Sequence, residues 1–262
     1  MIKDLICSKY KQKVFLCALS LALMGWLTHG CGYKDISTDN GRLAVIQQAN
    51  SFLTSGMCDQ ALEVLQPLYT SSSVDNEVRM VYSSAYACKA GFDFPEVIGR
   101  LRGSGTIWAL LVMAMYSNGS DNHLTYYQNA AVPLRMTSSV AGSFVAADRP
   151  DDANVYMIFM QAGALASVLS VLGNANATTG AKGNAITGTG TNAQKCAVQV
   201  AIATIVDSLN VVGTSGALQS LATSLAPLCS GSICNNKDPA VCDAANILNG
   251  TALIAAIDTQ WI

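Results

Sequence analysis

Charge is scarce in this chain: Asp, Glu, Lys and Arg together make 12% of its 262 residues, about half the usual share. Histidine is scarcer still, with two in all. Beyond residue 30 only His123 remains, in a polar stretch before Tyr126-Tyr127 that reads as a surface or capping position. A Ser-His-Asp triad needs a histidine beside a marked serine, and no Gly-x-Ser-x-Gly elbow is present. There is no HExxH, no calcium loop and no Gly-x4-Gly-Lys-Ser/Thr phosphate loop. The paired carboxylates Asp151-Asp152 are explained by a helix start. The expectation is a chain that is not an enzyme and uses no cofactor. No basic stripe exists either, so nucleic acid is excluded as a partner.

What is present begins with a basic, then greasy, N-terminus. Lys3, Lys9, Lys11 and Lys13 lead into an uncharged run of 14 residues, Val14 to Leu27, followed by Thr28-His29-Gly30-Cys31. A helix of that length rises about 21 Å, short of a hydrocarbon core of about 30 Å. The run therefore reads as a signal peptide over residues 1–30. Plain cleavage after the small residues Thr28 and Gly30 is one outcome. The other is lipidation of Cys31, because the segment resembles the lipobox of bacterial lipoproteins. Gly30 matches that pattern, while Leu27 lies one place early and Thr28 takes its position. The resemblance implies a membrane anchor through Cys31. Gly32 stands where an aspartate would retain such a protein at the inner membrane, implying the periplasmic side of the outer membrane.

Cysteine counting is consistent with a capped Cys31. Of nine cysteines, Cys7 and Cys17 leave with the signal, and six remain beyond Cys31: Cys58, Cys88, Cys196, Cys229, Cys234 and Cys242. An even set in an exported chain reads as disulfides. Spacing suggests Cys58–Cys88 and two bridges among the last four. A zinc site is the rival reading, but Cys229-x4-Cys234-x7-Cys242 lacks paired C-x2-C spacing and no histidine is near, so no metal is expected. Removing residues 1–30 takes four lysines and Asp4, leaving 11 basic and 16 acidic residues, a balance of −5. Low charge over a large apolar fraction suggests that a partner or membrane covers some surface, and a homo-oligomer is one possibility.

The fold class expected is all-α, a disulfide-stapled helical domain. Residues 31–41 read as a lipidated tether. Over 42–102, Ala49, Phe52, Gly56, Ala61 and Leu65 alternate small, large, glycine, small, large. Ala85, Cys88, Gly91, Val97 and Leu101 give a looser copy 36 residues on, with one extra residue in its turn. This resembles a tetratricopeptide-like repeat, which implies antiparallel helix pairs with small residues at the close approach. A generic helical hairpin would show similar packing.

Residues 103–262 read as further helices. Ile107–Tyr116 is apolar all round and too short to span. A helix is expected from about Asn122, broken or restarted at Pro133. Ala153–Leu172 is 20 residues without a charge, either a core helix or a membrane span. Gly163 and Ser167, four apart, permit close packing in either case. The Gly/Thr/Asn-rich segment 173–193 reads as a flexible exposed loop, with contact to a partner as its alternative. Helices follow from Ala193 to Leu209 and to Leu228. Pro239 is expected to open the last one, and the Trp261 tail packs on the core or on a partner. The resemblance to tetratricopeptide lipoproteins implies a protein-binding scaffold or assembly subunit of an envelope complex. The alternative is a helical lipoprotein that binds a small apolar ligand for a transporter.

Overall fold

The computed structural model describes residues 35–70, 75–101, 103, 105–116, 121–214 and 217–261. Cys31, the expected signal segment and the first four residues of the expected tether, 31–34, lie outside these. Among the described residues all regular structure is helical. The chain divides into two units, residues 1–45 and 46–262. In the first, Asp35 folds a polar turn: its Oδ1 accepts from the Ser37 amide and hydroxyl, at 3.0 and 2.6 Å. Helix α1 (Asp39–Thr54) starts three residues before the expected 42 and contains the boundary.

Helices α1 and α3 (Asn76–Lys89) end in the same way. After α1, Met57 N–H donates to Phe52 C=O at 2.8 Å and Gly56 N–H to Leu53 C=O at 3.0 Å. After α3, Phe92 donates to Ala87 at 3.0 Å and Gly91 to Cys88 at 2.9 Å. This double closure requires a left-handed residue after the cap, and Gly56 and Gly91 supply it at φ +70° and +74°. Helix α2 (Cys58–Tyr69) follows the first turn and α4 (Phe94–Leu101) the second. Side-chain caps start later helices: Asp75 accepts from Val78 N–H at 2.9 Å before α3, and Thr106 from Ala109 N–H at 3.3 Å before α5 (Ile107–Ala114).

The core is organised around α7 (Asp151–Leu172), of whose 22 residues 16 are buried. On one side lies α6 (Asp121–Arg135), close because residue 163 is glycine: a Cβ there would meet Tyr127 Cε1 at 2.3 Å. On another lies α8 (Asn192–Val212), capped by a reciprocal Thr191–Gln194 box. Both α7 and α8 are long and apolar enough to cross a membrane by length and composition, but 78% and 67% of their most apolar windows are buried inside the protein. Helix α10 (Ala244–Gln260) packs on α8, and α9 (Ala217–Leu225) leads into the short turn Ala226–Leu228.

Several boundaries differ from expectation. Pro133 neither breaks nor starts a helix; α6 runs through it to Arg135. Pro239 does not open α10. It sits in a turn in which Asp238 accepts from the Ala240 amide at 2.8 Å and the Val241 amide at 3.1 Å, and Asp243 is the better cap, accepting from Asn246 N–H at 2.9 Å. His123 is half-buried with its Nδ1 sealed and unpartnered, not a cap.

The segment 173–193 is a loop, but a pinned one. Asp258 of α10 accepts from Lys182 Nζ at 2.6 Å, the Thr187 hydroxyl at 2.6 Å and the Ile186 amide at 3.0 Å. Fully buried Trp261 donates its indole N–H to Gly180 C=O at 2.9 Å. The tail thus packs on the core, and the loop is fastened to it at both ends of this contact.

Candidate partner-binding groove

Three disulfides form among the six cysteines: Cys58–Cys88, Cys196–Cys242 and Cys229–Cys234, with Cα–Cα separations of 5.6, 5.7 and 5.1 Å. The first joins the start of α2 to the end of α3 and so sets the two helices antiparallel. Beside it Lys89 Nζ lies 2.6 Å from Asp59 and 4.9 Å from the Tyr126 ring centroid. Ala49, Ala61 and Leu65 are fully buried together with Ala85 and nearly buried Tyr82, and Phe52 packs on this cluster. Of the five repeat-like positions, Ala49, Ala61, Leu65 and Phe52 thus pack in this cluster, and Gly56 forms the exposed turn before α2.

At the far end of the same pair is an open groove of about 580 Å³, lined by Leu62, Glu63, Gln66, Pro67, Thr70, Tyr82 and Tyr86. Tyrosines build its wall. Tyr69 stacks on Tyr82 with centroids 4.0 Å apart, and Tyr86 meets Tyr82 edge to face at 5.5 Å. The Tyr82 hydroxyl donates to Gln66 Oε1 and locks both side chains. Burial, reinforced by neighbouring Tyr86, pushes the Tyr82 phenol up to about 12, so it stays a neutral donor at physiological pH. The groove offers apolar and aromatic faces, one exposed carboxylate on Glu63 and hydrogen-bonding groups on Gln66 and Tyr86. It holds no nucleophile with a base beside it, and among the described residues no three His, Cys, Asp or Glu converge as metal ligands.

None of these lining residues stands out in the sequence as a site, though a signal exists. Leu62, Gln66 and the C-cap Thr70 recur every four residues along α2 and its end, as do Tyr82 and Tyr86 on α3. The stronger apolar stripe of Ala61, Leu65 and Leu68 hid the first series. No family model, no curated protein and no solved structure matches this chain.

Proposed function

We propose that this chain is a lipoprotein anchored through Cys31 at the periplasmic side of the outer membrane, where it holds a protein segment in the α2–α3 groove. The observation that carries the reading is the groove itself: an open surface walled by Tyr82, Tyr86, Leu62 and Pro67, on two helices stapled by a disulfide. Rigid aromatic side chains give large contact area at small entropic cost, as interface anchors do. Glu63 at the rim favours a segment carrying a basic residue.

Repeat-like organisation supports a scaffold. The two matching turn closures at Gly56 and Gly91 follow helices whose small residues Ala49 and Ala85 are fully buried. The second unit departs from a tetratricopeptide pattern in that α4 has only eight residues and α3 packs chiefly on α6. The later helices therefore complete the core in place of a third repeat.

Substitutions test the parts separately. Cys31→Ser is expected to move the protein from the membrane to the soluble fraction; unchanged partition defeats the anchor. Tyr86→Ala, which removes a half-buried groove wall packed on Tyr82, is expected to lower the unfolding temperature somewhat and to lose the partner from the still-folded chain. Glu63→Lys at the exposed rim should weaken the partner with membrane attachment and thermal stability unchanged. Undiminished partner recovery defeats the groove.

A further inference from the structure

The groove between α2 and α3 carries one unanswered charge. Of the seven described residues that line it, Glu63 alone is charged. Its side chain is exposed, and among the described residues no cation lies within 4.0 Å of it. The positions one helical turn away do not answer it. Asp59 has the same sign and is itself paired with Lys89 Nζ at 2.6 Å, and residue 67 is proline. Two nearby cations do not line the groove. Lys89, close enough to act on Tyr86, is the one that Asp59 neutralises. Arg79, close enough to act on Tyr69, donates to Asn76 Oδ1 at 3.0 Å.

A second acceptor stands beside the carboxylate. Pro67 lies inside α2 and has no N–H, so Glu63 C=O lacks the donor four residues on that a helix normally supplies. A helix carbonyl points toward the residue four places ahead. This one therefore lies between Glu63 and Pro67, both of which line the groove. Across from them is an aromatic wall. Tyr82 is 7% exposed and has Tyr69 stacked on it at 4.0 Å, so half-buried Tyr86 is the ring with more surface left.

Resting on the reading that this groove holds a protein segment, we propose that the segment is anchored by an arginine. Its guanidinium lies on the Tyr86 ring and donates to the Glu63 carboxylate and to the Glu63 carbonyl that Pro67 leaves open. Its methylene stem runs over Leu62 and Pro67. Arginine suits this lining better than lysine does. A guanidinium is planar, carries five N–H donors and is weakly hydrated, so it stacks on a ring while its edge reaches two acceptors. An ammonium is a compact, strongly hydrated point charge, and stacking gives it no such edge. Glu63 and Tyr86 are thus the residues that set specificity.

The test uses the full chain in detergent and capped Leu-X-Leu tripeptides, with X arginine, lysine or the neutral isostere citrulline, followed by NMR titration. The arginine peptide should shift the signals of Glu63 and Tyr86 saturably. Lysine should bind about fivefold and citrulline about tenfold more weakly. Glu63→Gln should bring the arginine peptide down about fivefold, the worth of an exposed charge pair. Tyr86→Phe keeps the ring and should keep the affinity, whereas Tyr86→Leu should lose about fivefold. If the leucine variant does not fold, Glu63→Gln at its exposed position decides. Equal affinity for the three peptides, or no saturable shift with the arginine one, overturns the proposal. A photocrosslinker at Thr70, which leaves Glu63 in place, separates this failure from failure of the groove. A captured protein segment with no arginine at the contact removes the arginine anchor alone. No captured segment at all removes the groove reading with it.

Discussion

Gly163 and Asp258 each hold a structural contact through one atom's position. A methyl group on residue 163 would strike the Tyr127 ring, whose Cε1, Cζ and Cδ1 stand 2.3 to 2.6 Å from its place. Gly163→Ala should destabilise the protein by about 1–3 kcal/mol, the cost of overpacking a filled core. The measurement is a lower denaturant midpoint at unchanged slope. Asp258 makes a pH prediction. Partial burial alone would raise its carboxyl, but the Lys182 ammonium, the Thr187 hydroxyl and the Ile186 amide hold it well below the usual carboxylate range. The stability it contributes is complete above about pH 4, where an unfolded aspartate is ionised, and is lost as pH falls further. The protection factors of the Ile186 and Thr187 amides, which correct for the intrinsic pH dependence of exchange, should fall below that pH, and Asp258→Asn should remove the dependence. The close-packing role of Gly163 was legible, because Gly163 and Ser167 are four apart on one helix. The role of Asp258 was not: its partners lie more than 70 residues away in sequence.

Among the elements, helices were legible wherever apolar periodicity ran long, as in α7 and α8. Their ends were legible only where the cap was the nearest competitor. Pro239 offered a plausible first helical residue, yet Asp238 folds it into a turn and Asp243, four residues on, starts α10 instead. Composition misled at 173–193. Glycine, threonine and asparagine suggested flexibility, whereas the hydroxyls, amides and Lys182 of that loop are the groups that Asp258 and Trp261 fasten. The disulfides carry the prediction at this scale. Their closures of 30, 46 and 5 residues should stabilise by about 3.6, 4 and 2 kcal/mol in the chain-entropy account. Paired serine variants, compared by urea unfolding, should rank Cys196–Cys242 first and Cys229–Cys234 last.

For the molecule as a whole, the all-helical class and the disulfide staple were readable from apolar period and an even cysteine set. The groove was not, because it depends on which faces of α2 and α3 remain open after Ala61, Leu65 and Ala85 have packed between them. Ala61, Leu65 and Ala85 pack behind the groove, and its lining lies one helical step away from them. The account rests on that lining meeting another protein. The direct measurement is a photocrosslinker placed at Glu63 in the full chain in cells, with Leu248, exposed on α10, as the control position. The account predicts one discrete heavier species from position 63, absent from position 248 and lost when Tyr86→Ala is added. The same adducts from both positions, or an adduct that survives the loss of Tyr86, would contradict it.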